Sequence, residues 1–397
     1  MRNIGKQHAV FGLIGTGGIS SSQHLPNLLR AAHVRLKTIC DMDAALLRSI
    51  QQKFHVAHAT TDYKAVLADP EIDAVLIATG AASHPQVTQE ALKAGKHVYV
   101  EKPLAESEAE CHDVVESWRN SGKLAVMGLN RRLAPATEQA MQILAAHDGA
   151  FNIHYRIADA YWQWGKDNPP GERVIHELCH VFDLLRYMTR SEVVSVYCVE
   201  SRADDESILL KFESGCVASI MSSGHVEYDM PKECIEVIVD RGGFFINDFA
   251  ELQTFGLNDF DPIYRFAGHV NTGRDDAHEQ LFASYGADAM MILRRWRQQQ
   301  AVKLGELQRR APGHPAQVAL EQYIHDYAAG VNYMMDKGWL HALEHFARCI
   351  LDGELSKLAT PEDGMRAAAI TEACIRSRRC GQPVFLESRD RVGATQR

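Results

Sequence analysis

Val10-Phe11-Gly12-Leu13-Ile14-Gly15-Thr16-Gly17-Gly18-Ile19-Ser20 is an apolar run that breaks into glycines and resumes as a helix-compatible segment. Val10 to Ile14 predicts a buried strand, and the residues running through Leu28, Leu29 and Ala31 predict an amphipathic helix. The turn between them has the chemistry of a dinucleotide cradle. Gly15 allows a tight turn, Gly17 lets backbone approach a pyrophosphate, and the following helix offers its first amides to the anion. Ser20 replaces the third glycine with another small residue. The next strand, Val34 to Cys40, ends at Asp41, a little over 20 residues past the glycines. A carboxylate at that point accepts hydrogen bonds from an adenosine ribose and repels a 2′-phosphate. Met42 follows it, not Arg, so the pattern predicts NAD in preference to NADP.

Outward from this unit, apolar runs and amphipathic segments alternate up to residue 130, as in a parallel α/β sheet. A helix over Tyr63 to Ala68 precedes a strand over Ala74 to Ala78, and a helix over Pro85 to Ala94 precedes a strand over Val98 to Val100. A helix over Glu106 to Ser121 and a strand over Leu124 to Gly128 complete the series. The polar residues collect where strands end: Gly15, Asp41, Thr79, Lys102 and Asn130. Lys102 is the clearest case, because Pro103 stops the ladder just past it. Ligands bind at that edge of open parallel sheets.

The remainder bounds the class. A chain of 397 residues exceeds what one core usually supports, so two domains are expected, divided near residue 130. A net charge of −9 disfavours a nucleic-acid partner. The nine scattered cysteines, without a C-x-x-C pair, fit free thiols in a reducing cytoplasm and no metal site. No signal peptide or apolar run of membrane-spanning length is evident, so a membrane association is not expected. After residue 150 the pattern changes. Ala150 to Ile157 alternates with period two, and a helix from about Val174 to Thr189 follows the turn Asn168-Pro169-Pro170-Gly171. Strand candidates then come closely spaced over Val193–Val199, Ser207–Phe212, Cys216–Met221, Cys234–Val239 and Phe244–Asn247, which predicts a separate α+β domain.

Gly15-Thr16-Gly17-Gly18-Ile19, Asp41, Ser83-His84-Pro85, the run Ala91 to Val98, Glu101-Lys102-Pro103 and Gly128-Leu129-Asn130-Arg131-Arg132 together resemble the glucose-fructose oxidoreductase, inositol dehydrogenase and MocA family. The chain's end, Thr360 to Gly364 through Gly381 to Val384, is similar as well. The resemblance implies a Rossmann doubly wound parallel sheet followed by a domain on an open, mainly antiparallel sheet, residues 131–397. Within that second half, a helical insertion spans about 256–337 and a closing helix 361–379. It implies NAD as cofactor, contacted by Gly15, Gly17, Gly18, Ile19, Asp41, Thr79, His84, Glu101 and Lys102. It implies a small carbohydrate substrate, and a homo-oligomer, dimer or tetramer, assembled through the open sheet.

In Arg173-Val174-Ile175-His176-Glu177-Leu178-Cys179-His180, the two histidines are four apart and would share one helix face. His-Glu-x-x-His also reads as a zinc protease signature, a reading that would leave the dinucleotide site without a purpose. The resemblance makes His180 the acid/base and Lys102 the donor to the reacting oxygen. Many relatives carry Asp four residues before that histidine, where this chain has His176, a candidate second acid/base and substrate contact. Glu101 either anchors the nicotinamide ribose or fixes the Lys102 loop. His84 sits near the cofactor or merely caps its helix. Asn130, Arg132, Tyr161 and Trp164 are candidate sugar contacts. Arg294-Arg295-Trp296-Arg297 is a solvated helix face, an oligomer contact or an anion clamp. Three functions follow: dehydrogenation of a ring hydroxyl, redox-neutral NAD-dependent glycoside hydrolysis, or a catalytically inactive NAD sensor.

Overall fold

The structure is a computed structural model that describes residues 6–268, 276–310 and 335–386. It divides into two compact units, one of Met1–Ala134, Val174–Tyr187 and Gly338–Ala373, the other of Pro135–Arg173, Met188–Lys337 and Cys374–Arg397. A linear boundary at residue 130 is therefore too simple, because two segments from the second half pack with the first.

The first unit holds six parallel strands: β1 (Ala9–Ile14), β2 (Val34–Cys40), β3 (His58–Thr60), β4 (Ala74–Ile77), β5 (His97–Val100) and β6 (Ala125–Met127). Their order is β3-β2-β1-β4-β5-β6, so the direction of winding reverses between β1 and β4. Every residue of β1 and β4 is buried, as a sheet covered on both faces requires. The short β3 and the helix Ala44–Phe54 have no counterpart in the sequence reading. Asp43 starts that helix by accepting from the amides of Ala45 and Leu46 at 2.8 and 3.0 Å. One face of the sheet is covered by the helix Trp339–Asp352, whose Phe346 ring meets Phe11 edge-on at 6.0 Å and Tyr99 at 6.1 Å.

The second unit is a nine-stranded sheet of order β14-β13-β12-β11-β7-β10-β9-β8-β15. Its strands are β7 (Asn152–Ala158), β8 (Val193–Arg202), β9 (Asp205–Phe212), β10 (Val217–Ser223), β11 (Glu233–Val239), β12 (Gly242–Asn247), β13 (Glu251–Phe255), β14 (Ile263–Arg265) and β15 (Val384–Phe385). Only β7 and β10 pair in parallel among these strands. The alternation seen in the sequence is the burial pattern. Ile208, Leu210 and Phe212 point inward while Leu209 on the same strand is exposed, together with Tyr197, Val199, Met221 and Ile238 on the same outer face. β13 and β14 were missing from the sequence reading. The segment expected as a helical insertion from about 256 first carries β14, and the helices Asp276–Tyr285 and Ala287–Arg310 come after it, broken at Gly286, which has φ +52°. Arg294 is buried here. Its guanidinium lies 2.9 Å from Asp248 and donates to the carbonyls of Tyr228 and Met230. That anchors the long helix to its own sheet, so the anion clamp loses this arginine. Arg295 and Trp296 are exposed, and the Arg297 side chain lies outside the described residues. No described helix is long and apolar enough to cross a membrane.

His97, at the start of β5, accepts the Leu124 amide on Nδ1 at 3.0 Å. Burial, with some help from Lys123, pushes its pKa down to about 4. A histidine held neutral in the fold contributes stability above its unfolded pKa of about 6.5, and that contribution is lost as pH falls towards 4. His97→Asn keeps an acceptor for Leu124 without the titration. Urea unfolding of both proteins from pH 7.5 to 4.5 should show the wild type losing roughly 2–3 kcal/mol more than the variant. Parallel pH profiles would contradict the assignment.

Candidate active site

The glycine turn is built as its chemistry requires. Gly15 has φ +94°, and a Cβ there would lie 2.4 Å from the Ala78 carbonyl at the end of β4. No other residue fits this close approach. A Cβ on Gly17 or Gly18 would meet nothing within 4 Å, so the backbone between them faces open space of the kind a pyrophosphate needs. Ser20 does more than stay small, since its buried hydroxyl donates to the Gly15 carbonyl at 2.7 Å. Ile19, half-buried, leads into a π-helical turn over Ser20–His24 before the helix Leu25–Arg30. Asp41 closes the cradle from the end of β2. One oxygen accepts from the amide and hydroxyl of Thr16 at 2.7 and 3.0 Å, and the other from the Asp43 amide at 3.0 Å. The open glycines and the fixed acid fit a dinucleotide.

The ends of β4 and β5 are tied together beside it. The Thr79 hydroxyl pairs with Ser83 at 2.7 Å. Buried His84 spans the gap, with Nδ1 2.7 Å from the Pro103 carbonyl and Nε2 3.1 Å from that of Thr79. Both ring nitrogens are thus committed to backbone, which favours the bracing role over cofactor contact. Glu101 is likewise structural in its contacts. It is buried, 2.8 Å from His24 Nε2, and accepts the Lys102 amide at 3.1 Å. Burial works against its charged form, yet the His24 hydrogen bond and charge and the Lys102 ammonium outweigh this and hold the carboxyl below its ordinary value. Gly128 is needed opposite, because a Cβ there would lie 2.6 Å from Glu101 Oε1. His24 escaped the sequence reading; its only signal was a polar residue on a helix otherwise packed inward.

Lys102, followed by a cis bond to Pro103, leaves this braced edge and donates from Nζ to the His176 carbonyl at 2.6 Å. The expected single helix over 174–189 is not continuous. It is two pieces, Arg173–His176 and Cys179–Thr189, separated by Glu177 and Leu178. His176 and His180 therefore do not share one regular helical face, which removes the geometric basis of the zinc signature. The His180 amide donates to the Glu177 carbonyl at 3.3 Å, and the His176 carbonyl accepts from the lysine. His180 is buried at the start of the second piece, and His176 is half-buried. Glu177, which the sequence reading gave no role beyond that signature, is buried, 3.3 Å from Arg131 and 4.0 Å from Lys102 Nζ. Behind Lys102 a void of about 10 Å³, the room of one water, separates Leu129, Ile175 and Cys179. Burial pushes the Cys179 thiol up to about 11, so it serves as packing.

Arg132 is spent on carboxylates. It grips buried Asp183 with two nitrogens and lies 3.1 Å from Asp363, which also accepts from Arg186 at 3.0 Å. Burial opposes ionisation of Asp363, but the two guanidiniums and the Thr360 amide hold it down at about 2. Such bidentate pairing leaves little of Arg132 for a sugar. Asn130 is fully buried in a 3-10 turn, and a Cβ on Gly338 would lie 2.6 Å from its carbonyl. Tyr161 and Trp164 belong to the other unit. Tyr161 is buried and accepts from Asn168 at 3.0 Å, whereas Trp164 packs edge-on against it at 4.6 Å and keeps 45% of its surface exposed.

A doubly wound sheet with a glycine cradle, an acid at the end of β2 and a lysine at the end of β5 has the make-up of an NAD-binding oxidoreductase. The chain belongs to the Gfo/Idh/MocA family. Residues 10–129 match the model for an oxidoreductase family with an NAD-binding Rossmann fold, and residues 143–245 match the GFO/IDH/MocA C-terminal domain. It is 29% identical over 253 residues to an uncharacterised oxidoreductase of Bacillus subtilis, covering 59% of this chain and 72% of that one. It is 26% identical over 260 residues to the myo-inositol 2-dehydrogenase of Thermotoga maritima, covering 60% and 75%. Among solved structures, an oxidoreductase from Agrobacterium radiobacter in complex with NAD+, L-tartaric acid and magnesium superposes with a TM-score of 0.71 at 17% identity, over 95% of this chain and 98% of that one. A levoglucosan dehydrogenase in complex with NADH and levoglucosan gives 0.69 at 18% identity, over 96% and 100%.

Replacing His24 by Leu leaves the Glu101 carboxylate buried without that partner. Urea denaturation should show a loss of about 2–3 kcal/mol. Adding Glu101→Gln should recover at least about 1 kcal/mol of it, and strictly additive losses would show that the two side chains do not depend on each other.

Proposed function

We propose that the protein oxidises a ring hydroxyl of a sugar, sugar acid or cyclitol with NAD. The observation that carries this reading is the contact of Lys102 Nζ with the backbone of His176, which brings the strand-end lysine to the segment that carries His180. Oxidation of a carbinol needs a base for the hydroxyl proton and a donor to the oxygen as its charge builds. An imidazole, with an ordinary pKa near 6.5, suits the first task at neutral pH, and His180 takes it. Lys102, a three-proton donor, takes the second. His176 contributes its carbonyl, which aims the lysine. NAD, when bound over Gly15, Gly17, Gly18 and Asp41, supplies the acceptor for the hydride. Relatives named as inositol dehydrogenases and a structural neighbour named as a levoglucosan dehydrogenase support a polyhydroxylated ring as the substrate class. The apolar outer face of the nine-stranded sheet, with Tyr197, Val199, Leu209, Met221 and Ile238, supports a homo-oligomer.

The test is incubation with NAD and a panel of inositols, aldoses, aldonates and aryl glycosides. Stoichiometric NADH is expected from at least one polyol. Lys102→Ala and His180→Ala should each lower that rate at least about 100-fold while NADH still binds by fluorescence titration. Aglycone release without net NADH would instead establish a redox-neutral glycosidase. A Lys102→Ala protein of full activity would overturn both.

A further inference from the structure

We propose that Glu177 is a positioning residue for Lys102, holding the lysine through its charge while Arg131 tempers that charge. This rests on the reading that Lys102 takes part in the oxidation, and it adds a residue to that site. The chain of contacts is short. Glu177 occupies the two-residue break between the helical pieces, and its side chain is only 6% exposed. One carboxylate oxygen is 3.3 Å from Arg131 NH2 and the other 4.0 Å from Lys102 Nζ. The same break leaves the carbonyl that Lys102 bonds at 2.6 Å. One local distortion thus supplies both a dipole and a charge to the ammonium, on either side of a single peptide unit. A helix running on through residue 177 would turn that carbonyl along its axis towards the amide four residues later.

The arrangement also sets a sign. Arg131 and Lys102 both lie against this carboxylate, so removing the Arg131 charge favours the ammonium of Lys102 and removing the carboxylate charge disfavours it. A Glu177 that only filled space would loosen Lys102 whichever neighbour was altered, whereas a shared charge makes the two alterations act in opposite directions. Lys102, 20% exposed, remains accessible to a small reagent.

The experiment is competitive acetylation of the full chain with acetic anhydride at pH 8, with Lys102 read by mass spectrometry against the surface lysines as internal standards. NADH fluorescence titration confirms that each variant retains the cofactor site. Glu177→Gln should raise Lys102 acetylation about tenfold, because it removes the opposite charge beside the ammonium. Glu177→Asp should fall between wild type and Glu177→Gln, and Arg131→Gln should lower acetylation below wild type. An unchanged Lys102 rate in Glu177→Gln, or a rise in both Glu177→Gln and Arg131→Gln, would overturn the proposal. If Arg131→Gln does not fold, Glu177→Asp decides, because it keeps the charge and loses volume: a Lys102 acetylation rate at or above that of Glu177→Gln would overturn the proposal. The labelling pattern does not depend on turnover. A positive result with no polyol oxidised by the wild type would keep Glu177 as the positioning residue and reject the catalytic reading of Lys102.

Discussion

The hydrogen bond from Lys102 to the His176 carbonyl joins two segments 74 residues apart. A lysine amine is mobile on its four-carbon stem, so chemistry at a fixed point requires that something take up its protons in a fixed direction. Here a backbone carbonyl does so, at the point where the first helical piece stops. The break carries a cost of its own, since a helix end leaves polar groups unsatisfied unless other partners reach them. Lys102 is one such partner.

Around that contact the first unit buries several carboxylates: Glu101, Glu177 and Asp183, with Asp363 close by. Each meets a cation or a hydrogen-bond donor from a different stretch of chain: His24, Arg131, Arg132 and Arg186. Pairs of this kind stabilise a fold little compared with apolar packing, but removing one partner from a buried pair is expensive. They therefore act as address labels. Arg132 binds Asp183 of one segment and Asp363 of another, so the three stretches that make up the unit are registered against one another at the same place where Lys102 meets His176. The apolar core, with Phe346 on Phe11 and Tyr99, supplies the cohesion.

This also explains what could be read from the sequence. The Rossmann series was legible because each of its devices is local: strand, glycines, helix, acid. Gly15 in particular follows from a single close approach to Ala78. The strands β8 to β12 were legible from alternation. What could not be read was decided over long distances. Nothing near Phe346 says that its helix covers a sheet begun at residue 9. His24 looks like any buried polar residue until Glu101 is set against it. The helix break was hidden because His176 to His180 has good helical spacing and no Gly or Pro between them. Arg132 reads as a sugar contact by resemblance, and Arg294 as part of a solvated face, an oligomer contact or an anion clamp, because a guanidinium pairs with any anion in reach and the sequence does not say which. The anion is a carboxylate elsewhere in the fold, Asp183 in one case and Asp248 in the other.

The preference for NAD can be argued on the same footing. Asp41 is fastened at both oxygens, to the Thr16 amide and hydroxyl on one side and the Asp43 amide on the other. A carboxylate held in that way cannot swing aside for a second negative group. Its neighbour Met42 is 92% exposed and offers no positive charge in compensation. A 2′-phosphate would meet a charge fixed by the same turn that shapes the pyrophosphate cradle, and relief would require undoing the Thr16 contacts on which that cradle depends. A ribose hydroxyl has no such conflict, because an ionised carboxylate has about four lone-pair sites and the backbone leaves some of them for a donor. Discrimination between the two cofactors is thus tied to the geometry that binds either, which is why an acid at this strand end carries more information than its charge alone.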